Sequence, residues 1–366
     1  MAPHSPSSVA HADPARRVRT AARDLGFDAV AIARADVPLD REMERYDEFI
    51  AAGMQGEMQY LERNRRTRAR LDVDGILEGA KSVVCVARRY PRFPEELEPR
   101  EGVLPTIARY ARGRDYHGFL RRRLRRLAAF VRGMGSAERP VRARPLCDDE
   151  PVLERAWAAR AGLGFVGKNG LIIVPGVGSM VLLGEVVTTL ELSPDAPIAE
   201  RCGACTRCLS ACPTQAFVAP FVLDARRCVS YLTIEHRSAV PVELREGVGA
   251  HLFGCDDCQT VCPFNAGQGA RSDPSKDDGE PFEPLERWSR TRLEEMLALD
   301  AEGYAAMSRG SPVKRSGRSG LARNAAIVLG NRGDPSALDA LRTTAAHHED
   351  AIVRDAAAWA IERLSR

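Results

Sequence analysis

Eight of the ten cysteines lie between Cys202 and Cys262, and their spacing is that of a metal-cluster ligand set. The first run is Cys202-x2-Cys205-x2-Cys208-x3-Cys212-Pro213, the spacing of bacterial two-cluster ferredoxins. The second, Cys255-x2-Cys258-x3-Cys262-Pro263, lacks a cysteine three residues before Cys255, and Cys228 stands upstream to supply it. Three closely spaced thiolates wrap three corners of a cubane, and the fourth cysteine of such a run reaches the other cluster. The spacing thus assigns Cys202, Cys205, Cys208 and Cys262 to one [4Fe-4S] cluster and Cys212, Cys228, Cys255 and Cys258 to a second. Soft thiolates also hold zinc, the structural alternative, but a zinc site has no need of the doubled Cys-x3-Cys-Pro ending. Two neighbouring clusters imply an electron relay, and a relay needs an acceptor. Gly162-Leu-Gly-Phe-Val-Gly167 is a weak candidate for a dinucleotide loop, because it follows a helix-like segment rather than a strand.

The elements that must position this set lie mostly upstream. Residues 15–26 read as a helix, 28–33 as a short strand, 38–64 as helical and 82–87 as a buried strand. Residues 92–106, rich in proline and acids, read as a loop. A helix is predicted over 116–133, with Leu120, Leu124, Leu127 and Val131 on one face and Arg121, Arg122, Arg123, Arg125, Arg126 and Arg132 on the other. A further helix is expected over 154–161, a glycine-rich turn over 162–170 and a hairpin over 171–189. Pro194 to Pro197 marks a boundary, and residues 265–284 read as an exposed connection. In the tail, Arg323-Asn-Ala-Ala-Ile-Val-Leu-Gly330 echoes Arg354-Asp-Ala-Ala-Ala-Trp-Ala-Ile361 at an offset of 31 residues, with a helix expected over 335–343 between them. This is a helical-repeat pattern too short to stand alone, so it is expected to dock on the rest of the chain.

The 366 residues are 44% hydrophobic and 28% charged, with a formal net charge of +3, as expected of a soluble protein of two or three domains. The balance does not by itself imply a nucleic-acid partner. The most apolar stretch, 180–188, is short and contains an acid, so no transmembrane span is expected. The N-terminus has no basic region followed by a long apolar core, and a cytoplasmic, reducing location is the default.

With both flanks of the cysteine region considered, the chain resembles the epoxyqueuosine reductase family, over roughly residues 15–366. The resemblance rests on Arg109-Tyr-Ala-Arg-Gly-Arg-Asp-Tyr-His117, Asp148-Asp-Glu-Pro-Val-Leu-Glu-Arg155, Ala161-Gly-Leu-Gly-Phe-Val-Gly-Lys-Asn169, Asp224 to Thr233 and Gly254 to Pro263. It implies an α+β protein of three parts. These are an N-terminal α/β cobalamin-binding catalytic domain (15–193), a ferredoxin-like domain with two [4Fe-4S] clusters (194–270), and C-terminal HEAT-like helical repeats (285–366). It also implies conversion of epoxyqueuosine to queuosine at the tRNA wobble position, with the clusters reducing cob(II)alamin one electron at a time and the cofactor supplying the difficult chemistry. An external electron donor and a monomeric state are implied as well.

Asp148 matches the proton donor of the family. An acid is needed because alkoxide is a poor leaving group, and a semi-buried carboxyl pushed to high pKa would serve. The bland reading is that Asp148, Asp149 and Glu150 cap the following helix. Arg70, Lys168, Asn169, Ser230 and Asp256, with Asp148, are the cobalamin contacts implied by the same resemblance. Their ordinary alternatives are an ion pair for Arg70, a turn for Asn169, and local hydrogen bonds for Ser230 and Asp256. Ala108 stands where one branch of the family carries a cysteine near cobalt, so no thiol acts there. His117 is expected to pack or hydrogen-bond, and Cys85 to be a core residue. Cys147 adjoins Asp148.

The arginines around 109–144, with Lys314, Arg315, Arg318 and Arg323 in the tail, form a candidate tRNA surface, since guanidinium pairs with phosphate and stacks on bases. Three other classes compete. A corrinoid reductive dehalogenase would also set clusters beside cobalamin, but the missing export signal and the repeat tail weigh against it. A bare electron carrier has no need of the large N-terminal region, and a zinc or RNA-binding protein would contain no iron or acid-labile sulfide.

Overall fold

Asp13 accepts the Ala15 N–H at 3.1 Å and starts helix α1 (Pro14–Asp24), where proline occupies the first turn without losing a needed donor. The computed structural model describes residues 13–90, 102–148, 150–266 and 281–366. After α1 come strand β1 (Ala29–Arg34), helices α2 (Asp40–Ala51) and α3 (Arg65–Ala69), and strand β2 (Ser82–Arg89). Helix α4 (Tyr116–Arg132) is capped by Asp115, whose carboxylate accepts the His117 N–H. Strand β3 (Ala143–Leu146), helix α5 (Glu154–Arg160), strands β4 (Phe165–Val166) and β5 (Ile172–Ile173), and strand β6 (Val181–Thr188) complete the N-terminal part.

The main sheet has strand order β1-β2-β6-β3. Every pairing in it is antiparallel, so the alternation of helices and strands along the chain does not give the parallel βαβ units of an α/β domain. Val84, Val86 and Val186 face α1 and α4, while Val83, Cys85 and Val187 face α5. Covered on both faces, β2 is a continuous apolar run rather than an alternating one. The expected hairpin over 171–189 is absent: β5 pairs with β4, and β6 enters the main sheet between β2 and β3. Side-chain alternation identifies a strand but not its neighbour. The helical reading of 38–64 also breaks, because α2 ends at Ala51 and is followed by Gly53 and Gly56 in the left-handed region. A Cβ on Gly56 would lie 2.4 Å from the Tyr231 hydroxyl, so glycine is required where this turn meets the cysteine region.

That region contains α6 (Arg207–Ser210), a hairpin of β7 (Phe217–Ala219) and β8 (Val222–Leu223), then α7 (Val229–Ile234), α8 (Val242–Val248) and α9 (Asp257–Thr260). The tail holds α10 (Glu286–Arg290), α11 (Leu293–Leu297), α12 (Ala301–Ser308), α13 (Gly317–Arg332), α14 (Leu338–His347) and α15 (Ala351–Leu364). One core joins the two, with Leu232 and Phe253 packed among Trp288, Ile327 and Ala357, and with Ile107 from the N-terminal part. Every residue of α13 from Gly320 to Gly330 is buried, so it is a core helix and not an amphipathic surface one. A Cβ on Gly330 would lie 2.9 Å from the Ala360 Cα on α15.

Arg112 is interior, donating to the Ile107 carbonyl at 2.9 Å, and so are two further arginines assigned to the tRNA surface. Arg323, 1% exposed, donates to the carbonyls of Leu232, His236 and Ser238 at 2.6–2.9 Å. Arg123 donates to the Leu25 carbonyl and stacks 3.6 Å from the centre of the Phe119 ring. Both anchor carbonyls inside the fold and cannot reach a phosphate. Asn265 is also buried rather than exposed, accepting the Ser179 N–H at 2.8 Å. The loop expected over 92–106 and the connection over 265–284 fall largely on residues 91–101 and 267–280, outside the described residues, as do residues 1–12 and Asp149. Among the described residues, no helix is long and apolar enough to cross a membrane.

Candidate active site

Helix α2, the start of α4 and the segment after β3 line, with the cysteine region and the tail, a cavity of about 1980 Å³. That is about twice the roughly 1,000 Å³ upper end of ordinary small-molecule pockets. Tyr46, Met58 and Tyr60 line one side, Phe217 and Phe221 another, and Lys314 and Arg315 a third. Lys314 pairs with Asp115 at 2.9 Å, and Arg315 with Glu235.

All ten cysteines are free of disulfides. Cys212, Cys228, Cys255 and Cys258 line the cavity, whereas Cys202, Cys205, Cys208 and Cys262 do not. Burial raises the Cys208 pKa first, followed by the neighbouring Cys262 and then Cys205. Cys258 is likewise raised by burial first, then most by Cys228. Buried thiols that raise one another in this way would ionise and give up protons on binding a cationic cluster. Lys168 holds the first loop, its ammonium donating to the carbonyls of Gly203 at 2.5 Å and Cys205 at 3.0 Å. The Ala216 N–H lies 3.3 Å from Cys212 Sγ, a donor of the kind that tunes cluster sulfur.

Asp148 stands just past the end of β3, with φ +59°, a left-handed conformation uncommon outside glycine. Its N–H donates to Glu154 Oε1 at 2.9 Å. Its Oδ2 accepts the Tyr116 hydroxyl at 2.7 Å and lies 3.2 Å from His117 Nε2. Burial opposes ionisation of Asp148, but the bonds from His117 and Tyr116 outweigh it and leave the pKa below the ordinary aspartate value. This corrects the expectation of a carboxyl pushed high. The raised group is His117, lifted to about 9 by Asp115 first and Asp148 second. Tyr116 is pushed far up, by burial first and then by the Asp148 charge, so it stays a hydroxyl.

Four of the six residues expected around cobalamin converge on the cavity: Asp148, Asn169, Ser230 and Asp256. Asn169, 4% exposed, accepts the Leu171 N–H through Oδ1, while its Nδ2 finds no partner among the described residues. A buried amide donor without a partner, on a residue that lines the cavity, fits a ligand rich in amides and phosphate, as a corrin is. Asp256 is already engaged, accepting the Arg109 N–H at 2.8 Å. Arg70 and Lys168 do not line the cavity. Arg70 makes a bidentate pair with Asp72, at 2.9 and 2.6 Å, and Lys168 serves the first cysteine loop. Ala108 is buried, and a Cβ on Gly254 would come within 2.7 Å of its methyl. Cys85 is buried in the sheet, as expected.

Asp115, Tyr116 and Glu154 were not expected at the site from the sequence, while the hydrogen-bonding role expected of His117 is the one it plays. Asp115, Tyr116 and His117 lie in the same motif and carry polar groups at the start of a helix, which was the available signal. The arginines of α4 divide: Arg122, Arg125 and Arg126 are exposed, and Arg132 donates to the Ala143 carbonyl. In the tail, Arg318 pairs with Glu349.

Two sets of thiolates, one of them opening on a large cavity beside a hydrogen-bonded carboxylate and imidazole, define an iron–sulfur oxidoreductase. Residues 201–265 match the family of 4Fe-4S double cluster binding domains, and residues 70–149 match the family described as epoxyqueuosine reductase QueG, DUF1730. The chain is 41% identical over 326 residues to the epoxyqueuosine reductase of Gloeobacter violaceus, covering 87% of this chain and 97% of that one. It is 35% identical to that of Escherichia coli, over 95% of this chain and 88% of the relative. A crystal structure of epoxyqueuosine reductase with an epoxyqueuosine-modified tRNA-Tyr stem loop superposes with a TM-score of 0.83 at 32% identity, covering 96% of this chain and 90% of that one. The Bacillus subtilis enzyme, with its catalytic loop swung out of the active site, gives the same TM-score. The chain belongs to the epoxyqueuosine reductase family of oxidoreductases.

Proposed function

We propose that this chain reduces epoxyqueuosine to queuosine at the wobble position of a tRNA anticodon, drawing electrons from an external donor through two [4Fe-4S] clusters to cobalamin held in the cavity. Cys202, Cys205, Cys208 and Cys262 hold the entry cluster, and Cys212, Cys228, Cys255 and Cys258 hold the exit cluster. The observation that carries this reading is the shared cavity. The second cysteine group, Asn169 with its unpartnered amide and Asp148 all line it, whereas the first group does not. Its size leaves room for a corrin and an inserted nucleoside together. The tRNA stem loop bound by the related enzyme supports the substrate class.

When bound, cobalamin supplies low-valent cobalt as the reductant of the epoxide carbon. The protein supplies position and protons. One epoxide, two electrons and two protons give one alkene and one water, so the departing oxygen must be protonated. Asp148 and His117 both line the cavity with Oδ2 3.2 Å from Nε2, and the proton stored on the imidazolium passes through the Asp148 carboxyl to the oxygen. Asn169 Nδ2 and Ser230 hold the corrin. Lys314 and Arg315 at the rim, with Arg122, Arg125 and Arg126 farther along α4, meet the tRNA backbone. We read α13 to α15 as a HEAT-like unit and the protein as a cytoplasmic monomer.

The test is anaerobic incubation of cobalamin-loaded, cluster-replete protein with epoxyqueuosine-containing tRNA and a chemical reductant. Mass analysis of the nucleoside is expected to show loss of one oxygen. An unchanged nucleoside, with clusters and corrin both present, would overturn the reading.

A further inference from the structure

Glu185 lies in the middle of the main sheet with no exposed surface, and neither of its carboxyl oxygens meets an N–H or hydroxyl donor among the described residues. On β6 it sits in register between Cys85 of β2 and Leu146 of β3, on the face covered by α5. A glutamate in a wholly apolar layer is costly, and nothing in the packing of that layer calls for one. The group that faces it is Glu154, the first residue of α5, and Glu154 in turn accepts the Asp148 N–H. The chain of contact therefore runs from the sheet centre to the loop that carries the candidate acid.

Two adjacent carboxyls in a buried setting cannot both ionise, so the pair retains one proton at neutral pH. Glu185 is pushed well above the ordinary glutamate value by burial first and by Glu154 second, and Glu154 is raised by burial and then by Asp148. The deeper residue keeps the proton, which leaves Glu154 as the carboxylate that accepts the Asp148 amide. The other titratable groups facing the pair do not compete. The Cys85 thiol is pushed far up by burial and then by the two glutamates, so it stays neutral, and Arg155 donates to the Gly170 carbonyl at 2.6 Å. Asp148 itself needs such a hold, because its left-handed backbone is unfavourable and persists only where its surroundings impose it.

We propose that Glu185 is a positioning residue for the Asp148 loop: its carboxylic acid orients Glu154 to accept the Asp148 N–H, and loss of the proton shared by the two glutamates releases the loop. The proposal rests on the reading of Asp148 as the acid, and it is tested without turnover.

Hydrogen exchange of the segment 147–153 is measured in the full cluster-loaded chain at about pH 6 and about pH 9, corrected for intrinsic rate, for wild type, Glu185→Gln and Glu185→Leu. Wild type is expected to lose protection about tenfold or more at the higher pH. Glu185→Gln, which keeps a donor but has no proton to lose, stays protected at both values, and Glu185→Leu is unprotected at both. His117 is common to all three proteins, so its titration cannot produce these differences. Equal wild-type protection at the two pH values would overturn the proposal, as would an alkaline loss that persists in Glu185→Gln. If Glu185→Leu does not fold, the Gln variant still decides the matter. A protected loop in a protein that turns over no substrate would overturn the functional reading instead and leave this one standing.

Discussion

His117 is held between two carboxylates, its Nδ1 2.6 Å from Asp115 Oδ1 and its Nε2 3.2 Å from Asp148 Oδ2. The flanking charges keep the imidazole protonated at neutral pH and keep Asp148 ionised beside it. In the proposed reaction the acid is thus a pair, with the proton stored on His117 beside Asp148 and both residues lining the cavity.

Asp148→Asn keeps the shape and removes the proton transfer. Single-turnover reduction is expected to fall by at least about 100-fold, the lower end of what a positioned acid contributes. The tRNA dissociation constant is expected to stay within about twofold. A rate near wild type with an unchanged pH profile would remove Asp148 from the reaction.

His117 carries its own pH signature. Its folded pKa is raised to about 9 from an ordinary 6.5, so the stability it adds is fully present below about pH 6.5 and is lost as pH rises through about 9. Wild-type melting temperature is expected to fall between about pH 7 and about pH 10 by more than that of His117→Gln, and the alkaline limb of turnover is expected to change in the variant. Parallel melting curves would show that the imidazolium is not linked to folding.

What the sequence revealed and what it hid divide along physical lines. The cluster cysteines were legible because each run is local, and the spacing of thiolates around a cube is short-range chemistry. Helix α4 was legible through its apolar face at Leu120, Leu124 and Leu127. The union of Asp115 and His117 with Asp148 was not, since it depends on the start of α4 meeting the end of β3. Glu185 was hidden inside an apolar strand, where one acid does not disturb a reading of burial. Arg323 was misplaced for the opposite reason: a charged residue reads as surface unless the carbonyls that satisfy it are known, and those of Leu232, His236 and Ser238 come from about 90 residues upstream.

Cys228→Ser is expected to remove one thiolate from the second cysteine group while leaving the first intact. Iron and acid-labile sulfide should fall to about half, with one cluster's electron paramagnetic resonance signal retained on reduction. Loss of all iron would mean that the two groups do not assemble separately. Full retention would remove Cys228 from the ligand set.

Asn169→Leu separates corrin binding from protein stability. The Asn169 Nδ2 is a buried donor without a partner on a residue that lines the cavity, and a hydrogen bond it makes to the cofactor is worth about 1 kcal/mol, or more if its partner is phosphate. Cobalamin titration followed by absorbance is expected to show affinity weakened about five- to tenfold. The folded protein loses no contact from Nδ2, but it does lose the Oδ1 bond to the Leu171 N–H, so a modest fall in melting temperature is expected alongside. Unchanged corrin affinity in a folded variant would show that the Asn169 amide does not hold the cofactor.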